Sequence, residues 1–191
     1  MPRIPYPTQL ASERVQWLME RVPRLNLLRM ESWAEGIVES ILRVSDGVLN
    51  RSELDPVLRQ VALLRLCAAV DSPYEFEQLA KVSRRYRMSD ELIAAAREGS
   101  ASAHLDPDQR MAARLAEDLA IGARPSEEVF TFFKARLPTR HFVELVIGIG
   151  FYLMQSRVIE TFGIELEDQA IDLSGQNLDA GELEAWRNGR A

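Results

Sequence analysis

The stretch that decides the fold runs from Leu54 to Gly99 and reads LDPVLRQVALLRLCAAVDSPYEFEQLAKVSRRYRMSDELIAAAREG. Asp55 and Pro56 are typical of a helix start, because an Asp cap accepts a backbone N–H and proline at the first helical position loses no hydrogen bond. The residues that follow are apolar on nearly every side, a pattern typical of a buried helix. The stretch therefore predicts a central core helix.

Two further helices follow this core helix after very short breaks. Ser72 and Pro73 are typical of a second helix start, and Glu75 stands at the capping-box position. Ser89 starts the next helix, and Gly99 is expected to end it because glycine readily adopts the backbone conformations found at helix ends. The kinked junction between the first two helices is where we expect the functional site.

The chain on either side also reads as helical, with irregular ends. Prolines near the N-terminus predict an extended arm over 1–10, and residues 166–191 form an acidic tail in which Leu183 and Trp186 could dock as a short helical turn. Between them we expect one all-α domain over 11–165. Further helices are predicted at about 12–22, 31–49, 107–122, 126–137 and 139–162.

Apolar residues at helical spacing predict which helix faces are buried. In the helix expected over 31–49, the buried stripe contains Trp33, Ile37, Ile41, Val44 and Val48. The segment 142–154 is almost wholly apolar, which predicts a buried helix, and it is shorter than the about 20 residues that a membrane span needs. Its glycines, Gly148 and Gly150, indicate close helix contacts.

Composition is typical of a soluble globular protein. Of the 191 residues, 47% are apolar and 27% are charged, and the net charge is −6. An acidic surface argues against nucleic acid and anionic membranes as partners, and the N-terminus carries no apolar signal segment. The single cysteine, Cys67, lies in an apolar run and is expected to be a buried thiol. Because the two histidines share no ligand spacing, we expect no metal site, and we expect a cytoplasmic location.

The order of several short motifs resembles a known family. The motifs are Leu54-Asp55-Pro56, Arg59, Leu64-Arg65, the run 72–76, and later the runs 151–154 and 161–166. They are similar to the carboxymuconolactone decarboxylase family, which includes the alkylhydroperoxidase D-like (AhpD-like) proteins. The resemblance extends from Arg3 to about Glu165. It implies a single-domain AhpD-like helical bundle that assembles into homo-oligomers (dimer, trimer or hexamer), with a pocket between helices near the subunit contact.

Peroxidase members of that family use a glutamate, a Cys-x-x-Cys pair and a histidine as a relay. By the register of the resemblance, these positions hold Gln60, Ser72, Glu75 and Leu79 here. Because one thiolate must attack the peroxide and a second thiol must resolve the product, we expect no thiol peroxidase activity. A branch of the family without cysteines keeps Tyr-Glu-Trp, which the Tyr-Glu-Phe at 74–76 resembles, but here Leu79 also replaces the histidine of that branch.

Glu75 has two interpretations. It either completes a capping box with Ser72, or it acts as a general acid or base, because the apolar residues after it on the same helix face would exclude water and favour its neutral form. Arg65 needs a counter-charge in so apolar a helix, and Asp71 or Glu75 is nearest in sequence. Arg65 could alternatively hold a substrate carboxylate. Tyr74 could supply a hydroxyl donor.

Two classes of function fit these residues. The first is a cofactor-free lyase, decarboxylase or isomerase acting on a small carbonyl or lactone compound, with Glu75 and Tyr74 as catalytic residues. The second is a small-molecule-binding or degenerate scaffold without turnover. In both classes the partner is a small-molecule ligand, and no cofactor is expected. The residues expected to bind this ligand are Arg65, Gln60, Ser72, Leu79, Trp33, Phe151 and Tyr152.

Overall fold

The structure, a computed structural model, describes residues 1–169. Regular structure in this part of the chain is entirely helical, as predicted. The helices are α1 (Glu13–Met19), α2 (Asn26–Glu31), α3 (Val38–Asp46), a π-helix (Gly47–Arg51), α4 (Pro56–Ala69), α5 (Pro73–Arg85), α6 (Asp90–Glu98), α7 (Pro107–Ile121), α8 (Glu127–Arg136) and α9 (Thr139–Phe162). The predicted tail contacts of Leu183 and Trp186 lie outside the described residues.

The chain divides into two compact units. Of the described residues, one unit contains Met1–Asp46 and 164–169, and the other contains Gly47–Gly163. The domain expected from the sequence, 11–165, differs from this division because residues 11–46 group with the first unit. Residues 1–10 contain no helix.

In the first unit, the predicted helix over 31–49 is broken. Residues 32–37 form turns, so α3 begins at Val38 in a new register. As a result, Val38 and Leu42 are buried, while Ile37 and Val44 are 58% and 41% exposed. The predicted buried stripe is therefore wrong at Trp33, Ile37 and Val44, whereas Val48 is buried as predicted, with 7% exposed. The core of the unit consists of Val15, Leu18, Val22, Leu28, Val38 and Leu42.

In the second unit, α4 is the central helix, as predicted. Helix α4 packs against α5, α6, α7 and α9, which explains why this helix can be apolar on nearly all its sides. The helix begins as expected, because the Asp55 side chain accepts a hydrogen bond of 2.7 Å from the backbone N–H of Leu58. Helix α6 begins at the Ser89 cap and ends at Gly99, and α9 ends at Gly163, also as predicted. Gly99 has a φ of 108° and Gly163 a φ of 62°, and both values favour glycine.

Helix α9 differs from the prediction because only part of its surface is buried. Val143, Val146, Ile147 and Met154 are between 38% and 53% exposed. By length and composition α9 could cross a membrane, but 44% of its most apolar window is buried inside the fold.

The two glycines of α9 differ in their surroundings. A Cβ at Gly148 would lie 3.3 Å from Val48 Cγ1, whereas one at Gly150 would have no neighbouring atom within 4 Å.

Candidate functional site

The start of α5 places Ser72 and Glu75 side by side, but not as a capping box. Asp71 adopts a left-handed backbone with a φ of 54°, which turns the chain sharply between α4 and α5. The Ser72 backbone N–H then donates to the Cys67 carbonyl oxygen at 2.9 Å. The Ser72 hydroxyl makes no cap hydrogen bond and donates instead to Glu160 Oε1 on α9 at 3.1 Å. The predicted capping box between Ser72 and Glu75 is therefore wrong.

The Glu75 side chain is buried, with 5% of the residue exposed. It lies in the first turn of α5, where the positive end of the helix dipole favours a carboxylate. Its negative charge lies close enough to Cys67 on α4 to raise the pKa of that thiol. Glu75 therefore faces the interior between α4 and α5 and not bulk solvent.

Cys67 is a buried thiol, as predicted. Burial of the thiol is the largest cause that raises its pKa well above the usual value, and the charge of Glu75 is the second. The Ser156 hydroxyl lowers this pKa. Because a nucleophilic cysteine reacts as the thiolate, these surroundings disfavour thiol chemistry. Groups on both α5 and α9 therefore act on the Cys67 thiol of α4.

The other two positions of the relay register are also buried. Gln60 is 0% exposed and Leu79 is 2% exposed. Neither amide atom of Gln60 has a hydrogen-bonding partner among residues 1–169. A buried amide without a partner costs free energy, and nearly all buried polar groups in proteins are hydrogen-bonded. Gln60 lies on the same face of α4 as Cys67, two turns earlier.

Helix α9 packs against α4 and α5 and carries two further residues of the predicted site. Phe151 and Tyr152 are 9% and 4% exposed, and their rings meet edge to face with centroids 5.4 Å apart. Tyr152 lies one turn before Ser156 on the same helix face. The neighbouring Gln155 is 4% exposed, and its Oε1 has no hydrogen-bonding partner in the described chain.

Gln155 and Ser156 were not predicted as site residues. The signal that could have found them is a pair of polar residues directly after the apolar run of α9, one turn beyond Tyr152. Such a pair in a core helix needs polar partners inside the fold.

Arg65 has a different partner from those predicted. Its Nε lies 2.8 Å from Glu117 Oε1 on α7, and its Nη1 donates to the Arg97 carbonyl oxygen at 2.7 Å. Asp71 and Glu75 were the predicted partners, and that prediction is wrong. Arg59, near the start of the same helix, is also buried, with 3% of the residue exposed.

These contacts occupy the Arg65 guanidinium and argue against its predicted role in holding a ligand. The backbone supports the same conclusion. A Cβ at Gly99 would lie 2.6 Å from Glu117 Oε1 and 2.9 Å from Arg65 Cζ, so this ion pair fits closely against the end of α6.

Of two further aromatic residues of the predicted site, one is buried and the other is exposed. Tyr74 is buried on α5, with 3% exposed. Trp33 belongs to the first unit and is 55% exposed, and its indole N–H donates to the Pro5 carbonyl oxygen at 3.0 Å. Trp33 therefore packs on the N-terminal arm and does not form the buried wall expected of it.

No group of three or more metal-ligating side chains comes together within residues 1–169. The second unit buries a carboxylate on α5, a thiol on α4, a hydroxyl on α9 and the Gln60 amide, which has no partner in the described chain. These groups can bind a small polar molecule and transfer a proton, since a carboxylate is a general acid or base.

Comparison with known proteins identifies the fold. No family model and no curated protein matches the sequence. An uncharacterized peroxidase-related protein from a Silicibacter species superposes with a TM-score of 0.73 at 15% identity, covering 87% of this chain and 92% of that one. An uncharacterized peroxidase-related protein from Ralstonia eutropha, described as an alkylhydroperoxidase AhpD core, gives a TM-score of 0.72 at 16% identity, covering 87% and 93%.

A third structure matches over a shorter part of the chain. It is a protein of unknown function from Agrobacterium tumefaciens, described as a candidate antioxidant defence protein AhpD. Its TM-score is 0.63 at 14% identity, and the match covers 69% of this chain and 90% of that one. The protein therefore has the AhpD-like helical fold, and the resemblance drawn from the sequence is confirmed at the level of the fold.

Proposed function

We propose that the protein is a thiol-independent enzyme of the AhpD-like fold, a cofactor-free lyase, decarboxylase or isomerase that acts on a small carbonyl or lactone compound. The observation that supports this most is the buried Glu75 carboxyl, which the register of the resemblance places at a relay position and whose charge helps raise the pKa of the Cys67 thiol. A carboxyl in such a position can transfer a proton, whereas the thiol beside it is unsuited to attack a peroxide. We place this activity in the cytoplasm.

The chemistry of this class needs only proton transfer and charge stabilisation. In a decarboxylation, the bond to the substrate carboxylate breaks, carbon dioxide leaves, and the electron pair moves into the carbonyl to form an enolate. Glu75 then donates its proton to the enolate carbon and regains a proton from solvent. In an isomerisation, the Glu75 carboxylate removes a proton from the carbon beside the carbonyl and returns it to another carbon.

The neighbouring residues have matching roles in this proposal. The Gln60 amide, which lacks a protein partner in the described chain, would donate to the carbonyl or enolate oxygen and stabilise the charge that develops there. The Tyr74 and Tyr152 hydroxyls are further candidate donors. The apolar wall of Leu79 and Phe151 would keep water away from the reacting atoms.

A binding protein without turnover is the second candidate. Gln60 favours it, because glutamine does not titrate and stands where the relay of peroxidase members has a glutamate. A buried amide with free donors and acceptor can hold a small polar ligand as readily as a transition state. In that case Glu75 would orient the ligand and transfer no proton.

A panel assay of matched variants tests the proposal. The probes are β-keto acids and unsaturated lactones, and the readouts are carbon dioxide release and the ultraviolet absorbance of the conjugated carbonyl. Glu75→Gln keeps the size of the side chain but removes its proton, so it should lower the rate by about 10²–10⁴. Glu77→Gln is the control, because Glu77 is on the same helix with its side chain 47% exposed and pairs with Arg97.

The outcomes separate the two candidate functions. Turnover that is lost in Glu75→Gln and kept in Glu77→Gln supports the enzyme. Saturable binding of a probe without turnover would replace the enzyme with the binding protein.

A further inference from the structure

The first unit contains a cleft of about 200 Å³, which we call the arm cleft because the N-terminal arm forms one of its walls. Helices α1 and α2 and the loop between them form the other walls. The apolar lining consists of Pro7, Leu10, Met19, Val22, Leu25 and Leu28. Ser32 also lines the cleft, but its hydroxyl already donates to the Arg29 carbonyl oxygen at 2.7 Å. The walls therefore favour an apolar group.

The arm cleft has room for a ligand of definite size. Pro7, Leu10, Met19 and Leu25 are half-buried, although three of them pack on the core of the unit. Protein interiors are close-packed, so a space that could hold several carbon atoms is seldom left in a small core. Since an apolar cavity of about 150 Å³ binds benzene, a cleft of this volume can hold an apolar group of about six to eight carbon atoms.

The charged residues that line the arm cleft are both arginines, Arg24 and Arg29, and no carboxylate among residues 1–169 lines it. Both arginines are exposed, which places their positive charge at the mouth of the cleft. Arg29 donates to Asn26 Oδ1 at 3.0 Å, and its guanidinium carbon lies 4.2 Å from the centroid of the Tyr6 ring. These neutral contacts orient Arg29 and leave its charge in place. The mouth of the cleft therefore favours an anion.

The carboxylates nearest in the fold have other partners. Glu165 and Glu167 line a neighbouring cleft that shares the two arginines. Glu165 pairs with the N-terminal ammonium group of Met1, and Glu167 accepts a hydrogen bond of 2.7 Å from the backbone N–H of Asn26. Within residues 1–169, Arg24 forms neither a hydrogen bond nor an ion pair with its side chain. Its guanidinium is therefore available to a ligand in the arm cleft.

We propose that the arm cleft binds a small carboxylate with an aliphatic tail of about six to eight carbon atoms. The tail lies between the apolar walls, and the carboxylate lies at the mouth, where the Arg24 guanidinium can bind both of its oxygens. All residues of this site belong to the first unit, whereas Glu75 and Gln60 belong to the second. The proposal is therefore independent of the proposed function.

A series of straight-chain carboxylates tests the size of the site in the full-length chain, labelled with carbon-13 at the methionine methyl groups. Octanoate should shift the Met19 methyl signal saturably. It should leave the signal of Met154 unchanged, which is 41% exposed on α9 and reports adsorption to apolar surface in general. From butanoate to octanoate, each added CH₂ should tighten binding about fourfold, and the gain should stop once the cleft is full.

Two variants test the charge and the walls. Arg24→Gln should weaken octanoate binding about fivefold and leave the binding of octan-1-ol, which has no charge, unchanged. Arg21→Gln is the control, because Arg21 is also exposed but pairs with Glu20 at 3.7 Å and does not line the cleft. Leu25→Trp should fill the cleft and weaken the binding of both probes at least about tenfold.

The outcomes are distinct for each part of the proposal. Octanoate that shifts Met154 as much as Met19 would show general adsorption and would overturn the site. Octanoate that binds Arg24→Gln as tightly as the wild type, or octan-1-ol that binds as tightly as octanoate, would overturn the carboxylate. Arg24 is on the surface, so this variant keeps the test decisive even where Leu25→Trp fails to fold.

Discussion

Replacing Arg65 by methionine tests how the second unit is held together. The Arg65 guanidinium joins three helices, because it extends from α4 to Glu117 on α7 and to the Arg97 carbonyl oxygen at the end of α6. Methionine keeps most of the aliphatic length of the side chain and removes the charge. The variant therefore reports on the ion pair more than on packing.

The loss of unfolding free energy expected for Arg65→Met lies between the values for an exposed and a fully buried ion pair. An exposed pair contributes about 0–1 kcal/mol, whereas removing one partner of a fully buried pair costs about 3–5 kcal/mol. The Arg65 and Glu117 side chains are 19% and 24% exposed, and Glu117 keeps its hydrogen bonds from the Ser100 backbone and hydroxyl. We expect a loss of about 2 kcal/mol, which lowers the melting temperature by about 4–8 °C in a protein of this size.

The assay is thermal unfolding followed by circular dichroism, with Arg114→Met as the matched control. Arg114 pairs with Asp118 on the surface of α7, and its side chain is 54% exposed, so its loss should cost less than about 0.5 kcal/mol. In a Glu117→Gln background, Arg65→Met should cost at least about 1 kcal/mol less than in the wild type. Equal melting temperatures for Arg65→Met and Arg114→Met, or full additivity with Glu117→Gln, would refute the reasoning.

Two further predictions concern a carboxylate and a thiol of the second unit. The Ser52 hydroxyl donates to Glu144 Oε2 at 2.7 Å and lowers the pKa of Glu144, so its stabilising effect is present at neutral pH and is lost as the pH falls through the folded-state pKa. Ser52→Ala should therefore lower the free energy of unfolding by about 1 kcal/mol or less at pH 7, and by a smaller amount near pH 3. Denaturant titrations at both pH values measure this difference. Native Cys67 should resist alkylation that proceeds readily after unfolding, and the protein should not turn over peroxide with a thiol reductant. Steady peroxide turnover abolished by Cys67→Ser would contradict this.

Signals that act over a few residues predicted the elements of the fold well. The Asp55 and Ser89 caps begin their helices, and Gly99 and Gly163 end theirs, because capping depends on backbone groups within one turn. The central position of α4 also followed from its composition. The break at 32–37 was missed because the apolar residues on both sides happen to continue at helical spacing.

Contacts between distant parts of the chain were predicted less well. The partner of Arg65 is on α7, and nothing near Arg65 in the sequence points to Glu117. Periodicity also could not tell a buried α9 from one with an exposed apolar face, because both faces carry the same residue types. The buried state of Gln60 and Gln155 depends on packing among three helices, which composition does not encode.

The central claim is that Glu75 transfers protons at a buried site, and hydrogen exchange tests it most directly. The wild type, in deuterated buffer, is mixed with the same panel of β-keto acids and unsaturated lactones, and loss of the hydrogen beside the carbonyl is followed by proton NMR. We expect exchange faster than in buffer alone, reduced by about 10²–10⁴ in Glu75→Gln and unchanged in Glu77→Gln and Cys67→Ser. Exchange that Glu75→Gln leaves at the wild-type rate, or that Cys67→Ser abolishes, would contradict the account.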